Sequence, residues 1–162
     1  MDDIVHIDPN LTTGDVDFND GEIYQGKPGS FPSVSNNQDL TDPANWVTAE
    51  LILINDPADG CTNDPNNEGC GNGNGVGVQS CNDITGKIVV LRRGECSFVE
   101  KVRGADESGA AGVIVVNNVD SPPAGMGGSD ATTYTIDIPS VMIFKDKGEK
   151  LISAMNVAVS PI

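Results

Sequence analysis

The chain has 162 residues, 38% of them hydrophobic and only 4% aromatic, with 19 glycines and 10 prolines, which suits one domain rich in turns and short strands. A formal net charge of −15 would repel phosphate backbones and anionic lipid, so neither nucleic acid nor a membrane surface is an expected partner. No apolar run approaches the roughly 20 residues that a membrane-spanning helix requires.

Met1 is followed by "DDIVHIDPN", without the basic start and apolar stretch of a secretory leader, so the chain reads as a mature or excised segment. Residues 1–46 are polar and turn-rich. The stretch 1–21 is expected to be an N-terminal extension or a first strand, and 22–162 the globular domain. Residues 1–75 hold 14 acidic side chains and one basic one, Lys27; the bland reading of that imbalance is solubility.

"AELILIND" (49–56) predicts a strand that runs into the turn signals Asp56-Pro57 and Asp59-Gly60. Residues 56–82 have no periodicity of either kind and predict a long surface loop. The loop carries Cys61, Cys70 and Cys81, and Cys96 follows. With no C-x-x-C element and only His6 as histidine, a zinc site is poorly supported, and disulfides in an oxidising compartment are expected. Three pairings are open, and Cys61–Cys70 with Cys81–Cys96 is favoured. A bridge closing a loop near 15 residues is worth about 3 kcal/mol in the loop-entropy account.

The same loop offers hard oxygen ligands. Asp56, Asp59, Asp64 and Glu68, with Asn63, Asn66 and Asn67, form a candidate calcium site. The EF-hand register fails, because counting from Asp59 places Asp64 where glycine is required. A solvated polar loop is the default, and no other cofactor is expected.

"KIVVL" (87–91) predicts a buried strand. Ser97 and Glu100 make an S-x-x-E capping box, and Phe98, Val102 and Ala105 form one apolar stripe, with Glu100, Lys101, Arg103, Asp106 and Glu107 outside. Gly109 is the expected cap at the helix end. "GVIVVNN" (112–118) predicts the next buried strand, parallel to the first or in a mixed pair with it. "PSVMIF" (139–144) predicts another strand, "DKGEKLISAM" (146–155) a helix with Asp146 at its positive end, and "NVAVS" (156–160) a closing strand.

Catalytic constellations are thin. A helix start and nearby Arg92 or Arg93 would activate Cys96, but its only candidate base is His6, in a polar end segment. "RRGECS" satisfies neither nucleotide-binding glycine pattern, and "GGSDA" lacks the G-x-S-x-G frame.

Gly86, Lys87, Ile88, Arg93, Gly94, Cys96, Phe98, Lys101, Ala105, Gly109, Ala110 and Asn117 stand in the register of one family signature. "MGG" (126–128), "IPSVMI" (138–143), Gly148 and Leu151 extend it downstream, and "GKPGSF" (26–31) upstream. On these residues the chain resembles the protease-associated (PA) domain family, in the form found in secreted bacterial peptidases. Ser108 stands where alanine is usual, and Phe144 where a capping serine or threonine often begins the last helix.

The resemblance implies an α+β, β-rich domain, an open β-barrel or paired sheets, with two to three flanking helices. It also implies a non-catalytic, extracellular module that gates substrate access or binds peptide or protein segments, its partners being those segments and a catalytic domain of the same chain. A stand-alone interaction module of a surface or adhesion protein is the alternative. In this reading Gly94 permits a tight turn, Cys96 anchors it and Phe98 plugs the core. Arg93, Glu95 and Asn117 are the ligand-contact candidates, a structural hydrogen bond being the other reading of Arg93.

Overall fold

The computed structural model describes residues 4–8, 15–17, 23–24, 26–31, 39–40, 42–53, 84–94, 97–107, 109–127 and 136–159, with the backbone alone at 4–24, 43 and 155–159 within those ranges. Among the described residues eight strands are formed: β1 (Ile4–Asp8), β2 (Asp15–Asp17), β3 (Ile23–Tyr24), β4 (Gly26–Pro28), β5 (Val47–Leu53), β6 (Ile88–Arg92), β7 (Gly112–Val116) and β8 (Ser140–Ile143). Two α-helices, α1 (Phe98–Glu107) and α2 (Lys145–Val159), accompany them. The strands lie in the order β3-β2-β1-β5-β6-β7-β8-β4. The pairs β5–β6, β6–β7 and β7–β8 are parallel, and the outer pairs are antiparallel. The result is a mixed sheet with two helices, the α+β class expected.

Chain connectivity bends this sheet. β3 and β4 stand at opposite ends of the strand order yet are separated only by Gln25. With strands about 4.8 Å apart, a flat sheet of this size would hold its edges roughly 34 Å apart. Two Cα steps, from Tyr24 to Gly26, reach at most about 7.6 Å. The edges must therefore meet, and β2 touches β4. Of the two expected forms this curl matches the open barrel, since among the described residues β3 and β4 approach without pairing.

β6, β7 and β8 are buried on both faces, as their continuous apolar runs demand in a parallel sheet covered by helices. Alternate residues point opposite ways. Val89, Leu91, Val113, Val115 and Met142 meet Val99, Val102 and Ala105 of α1. Ile88, Val90, Ile114, Val116, Val141 and Ile143 share the second cluster with Leu151 and Ile152 of α2. Gly148 allows α2 to lie close, because a Cβ there would collide with both methyls of Val116.

The capping box forms in both directions. Ser97 Oγ accepts from the Glu100 N–H at 3.2 Å, and the Ser97 N–H donates to Glu100 Oε2 at 3.1 Å. At the other end Gly109 takes φ +87°, which lets the Ala110 N–H reach back to the Ala105 carbonyl at 3.0 Å. Three expectations need correction. Lys101, expected outside, is 0% exposed; it lies one turn before Ala105, so a helix that buries Ala105 carries Lys101 inward too. Phe98 is only partly buried, and Val99 fills the core in its place. Residues 156–159 continue α2 instead of forming a strand. Extending an existing helix adds a backbone hydrogen bond per residue without a new nucleus, and two valines do not outweigh that.

Candidate functional site at the carboxyl edge of the parallel sheet

β6, β7 and β8 run parallel and end at Arg92, Val116 and Ile143, so the residues that follow them gather at one edge. In parallel α/β sheets ligands bind beyond this edge. The strand ends are stitched together there. The Arg93 N–H donates to the Val116 carbonyl at 2.9 Å, and the Asn117 N–H to the Ile143 carbonyl at 3.1 Å. Arg93 Nη1 donates to Asn117 Oδ1 at 3.1 Å, and that oxygen also accepts from the Asn118 N–H at 2.9 Å. Asn117 Nδ2 donates in turn to the Ser121 carbonyl at 3.1 Å.

Asn117 is 1% exposed, and both ends of its amide are engaged. Expected as a ligand contact, it instead fixes Arg93 and the 117–121 turn, because an amide with its oxygen and nitrogen occupied inside the fold has little left to offer outward. Arg93 is half-buried, with its guanidinium 5.6 Å from the centre of the Phe98 ring, within cation–π range. Its structural hydrogen bond goes to the Asn117 side chain. Gly94 takes φ +126°, a conformation side chains rarely adopt, and so directs the chain away from β6. Glu95 and Cys96 lie outside the described residues, as do Cys61, Cys70 and Cys81 and the candidate calcium ligands Asp56, Asp59, Asp64 and Glu68.

Arg92 faces the other helix. Its Nε and Nη2 donate to Glu149 Oε1 and Oε2 at 2.9 and 3.1 Å, a two-pronged pair that ties the end of β6 to α2. The hydrogen bond from Arg92 is the main reason that the Glu149 carboxyl sits below its ordinary range, and the same bond raises Arg92. Beside this clamp lies a surface depression of about 330 Å³, lined by Asp120, Ser121, Pro122, Phe144, Lys145 and Asp146. Val119, on the same turn, is 46% exposed. Among the described residues, no group of three or more His, Cys, Asp or Glu side chains is placed to hold a metal ion.

The edge thus offers a fixed arginine, carboxylates, one lysine and apolar patches, a combination suited to holding a polypeptide segment. Sequence reasoning reached Arg93 and Asn117 through the motif but missed the depression and the Arg92–Glu149 clamp. Phe144 gave a signal, as a residue standing where a helix cap was expected. Glu149 gave none, since 57 residues separate it from Arg92.

Comparison with known proteins agrees with this architecture. The family model described as PA domain matches residues 47–151. The minor extracellular protease Vpr of Bacillus subtilis (strain 168) is 36% identical over 74 residues, 46% of this chain and 8% of that protein. Leucine aminopeptidase 2 of Trichophyton equinum is 32% identical over 112 residues, 68% of this chain and 19% of its own length. The solved aminopeptidase from Aneurinibacillus sp. strain AM-1 superposes with a TM-score of 0.54 at 24% identity, covering 97% of this chain and 28% of that one. That last likeness concerns the fold alone. The chain spans less than a third of each of these proteins. The extent of the family match, taken with the barrel and its stitched carboxyl edge, shows that this chain belongs to the PA domain family.

Proposed function

We propose that the chain is the non-catalytic PA module of a secreted or surface bacterial peptidase, and that it holds peptide or protein segments at the carboxyl edge of its parallel strands and so regulates access to a catalytic domain of the same protein. The observation that carries this reading is the family match over 47–151 in a chain that covers only 8 to 28% of peptidase relatives. The site chemistry supports it, because a held guanidinium beside apolar and acidic surface favours binding over bond-breaking. Arg93 and Glu95 remain the contact candidates, and Asn117 is assigned to position Arg93.

An extracellular location is supported by the name of the Bacillus relative and by the four cysteines, which we assign to two disulfides. Residues 56–68 remain a candidate calcium loop. Calcium should then raise the melting temperature and a chelator lower it, and no shift in either direction would remove the site.

The test uses the 162-residue chain with an internally quenched peptide and, separately, the same sequence unquenched. The expected result is no release of fluorescence, together with saturable binding that Arg93→Ala weakens. Turnover of the quenched peptide that Cys96→Ala abolishes would overturn the reading.

A further inference from the structure

We propose, building on the peptide-holding reading above, that the depression beside α2 receives the amino-terminal residue of a peptide, with its free ammonium at Asp120 and Asp146 and an apolar side chain on Pro122 and Phe144. The lining residues are of both kinds: two carboxylates, one ammonium at Lys145, and the two apolar rings. Among them anionic groups outnumber cationic ones, and the neighbouring Arg92 is already neutralised by Glu149. The local field therefore attracts a cation and resists a second carboxylate.

Asp146 lies in the first turn of α2, where the helix dipole offsets part of its charge. Asp120 has no such compensation, so it is the stronger partner for an ammonium. Lys145 then faces the first carbonyl oxygen of the peptide, as a donor. A depression of about 330 Å³ accommodates one residue and is at the small end of ligand pockets. Few peptide features place a full positive charge and an apolar side chain on one carbon. The α-amino end does, whereas an internal segment has no backbone charge and a carboxyl end has the wrong one.

The test records amide shifts of the 162-residue chain on titration with Leu-Gly-Gly amide, N-acetyl-Leu-Gly-Gly amide and N-acetyl-Lys-Gly-Gly amide. Leu-Gly-Gly amide should move the amides of Asp120, Ser121, Phe144, Lys145 and Asp146. Acetylation should weaken binding about tenfold, which corresponds to about 1.4 kcal/mol. Asp120→Asn should weaken it more than Asp146→Asn, with the remaining spectrum unchanged. Equal binding of either acetylated peptide, shifts confined to another surface, or no shift at all would overturn the assignment. A longer peptide blocked at both ends separates this inference from the function it rests on. If that peptide moves Arg93 and Gly94 while Leu-Gly-Gly amide moves nothing, the amino-terminal pocket falls and the peptide-holding role stands. If neither peptide binds, both fall.

Discussion

Ser140 opens β8 with its hydroxyl buried and, among the described residues, without a hydrogen-bond partner, facing the backbone at Gly29, where a Cβ would collide with that oxygen. A buried hydroxyl with no partner loses its hydration without return. Ser140→Ala should therefore stabilise the fold, by about 1 kcal/mol in urea denaturation. Asp106 is a polar group of a different kind, half-buried on α1. Its Oδ2 accepts from the Asp137 N–H at 3.0 Å, tying α1 to the segment that leads into β8. Burial, above all, raises its carboxyl from the ordinary value of 3.8. A raised acid binds more protons folded than unfolded, so its contribution to stability falls as pH rises from 3.8 through the folded value. Asp106→Asn keeps an acceptor for Asp137 and removes the half-buried charge. The variant should be more stable at neutral pH and should lose that part of the acid slope in thermal melts. Glu149 acts with the opposite sign. Its lowered carboxyl contributes stability above its ordinary value, and that contribution is lost as pH falls through the folded value.

Among the elements, α1 is the one whose start the sequence spells out. Ser97→Ala removes the oxygen that accepts from the Glu100 N–H and should cost about 1 kcal/mol, read from the denaturation midpoint. β6, β7 and β8 were legible for a related reason, since a short β-branched run buried on both faces leaves little ambiguity. β1 to β4 were not. They have two to five residues each and exist because distant strands offer hydrogen bonds, which local periodicity does not record. The end of α2 was misread because "NVAVS" has strand composition and helical context. In the site, the motif located Arg93 and Asn117, but whether Asn117 points outward or into the turn depends on Ser121, Asn118 and the end of β7. Lys101 carries the same lesson, since its charge argues for the surface and its place one turn from Ala105 decides for the core.

At the scale of the molecule, the one-residue link between β3 and β4 curls the sheet and brings its two edge strands near each other. The cysteines belong to this scale too. If two bridges brace a fold with few aromatics, iodoacetamide should modify none of the four cysteines in the unfolded, unreduced chain, and all of them after reduction. The charge of −15 adds a long-range field that should make association with basic peptides fall as salt rises.

The most direct measurement is amide hydrogen exchange of the whole chain with and without a bound peptide, followed by mass analysis of that peptide. Exchange should slow at 93–94, 117–121 and 144–146, stay unchanged at Gly86, Gly109 and Asp137 on the opposite edge, and return the peptide intact. Protection confined to the opposite edge, or a cleaved peptide, would contradict a module that holds polypeptides at the carboxyl edge without transforming them.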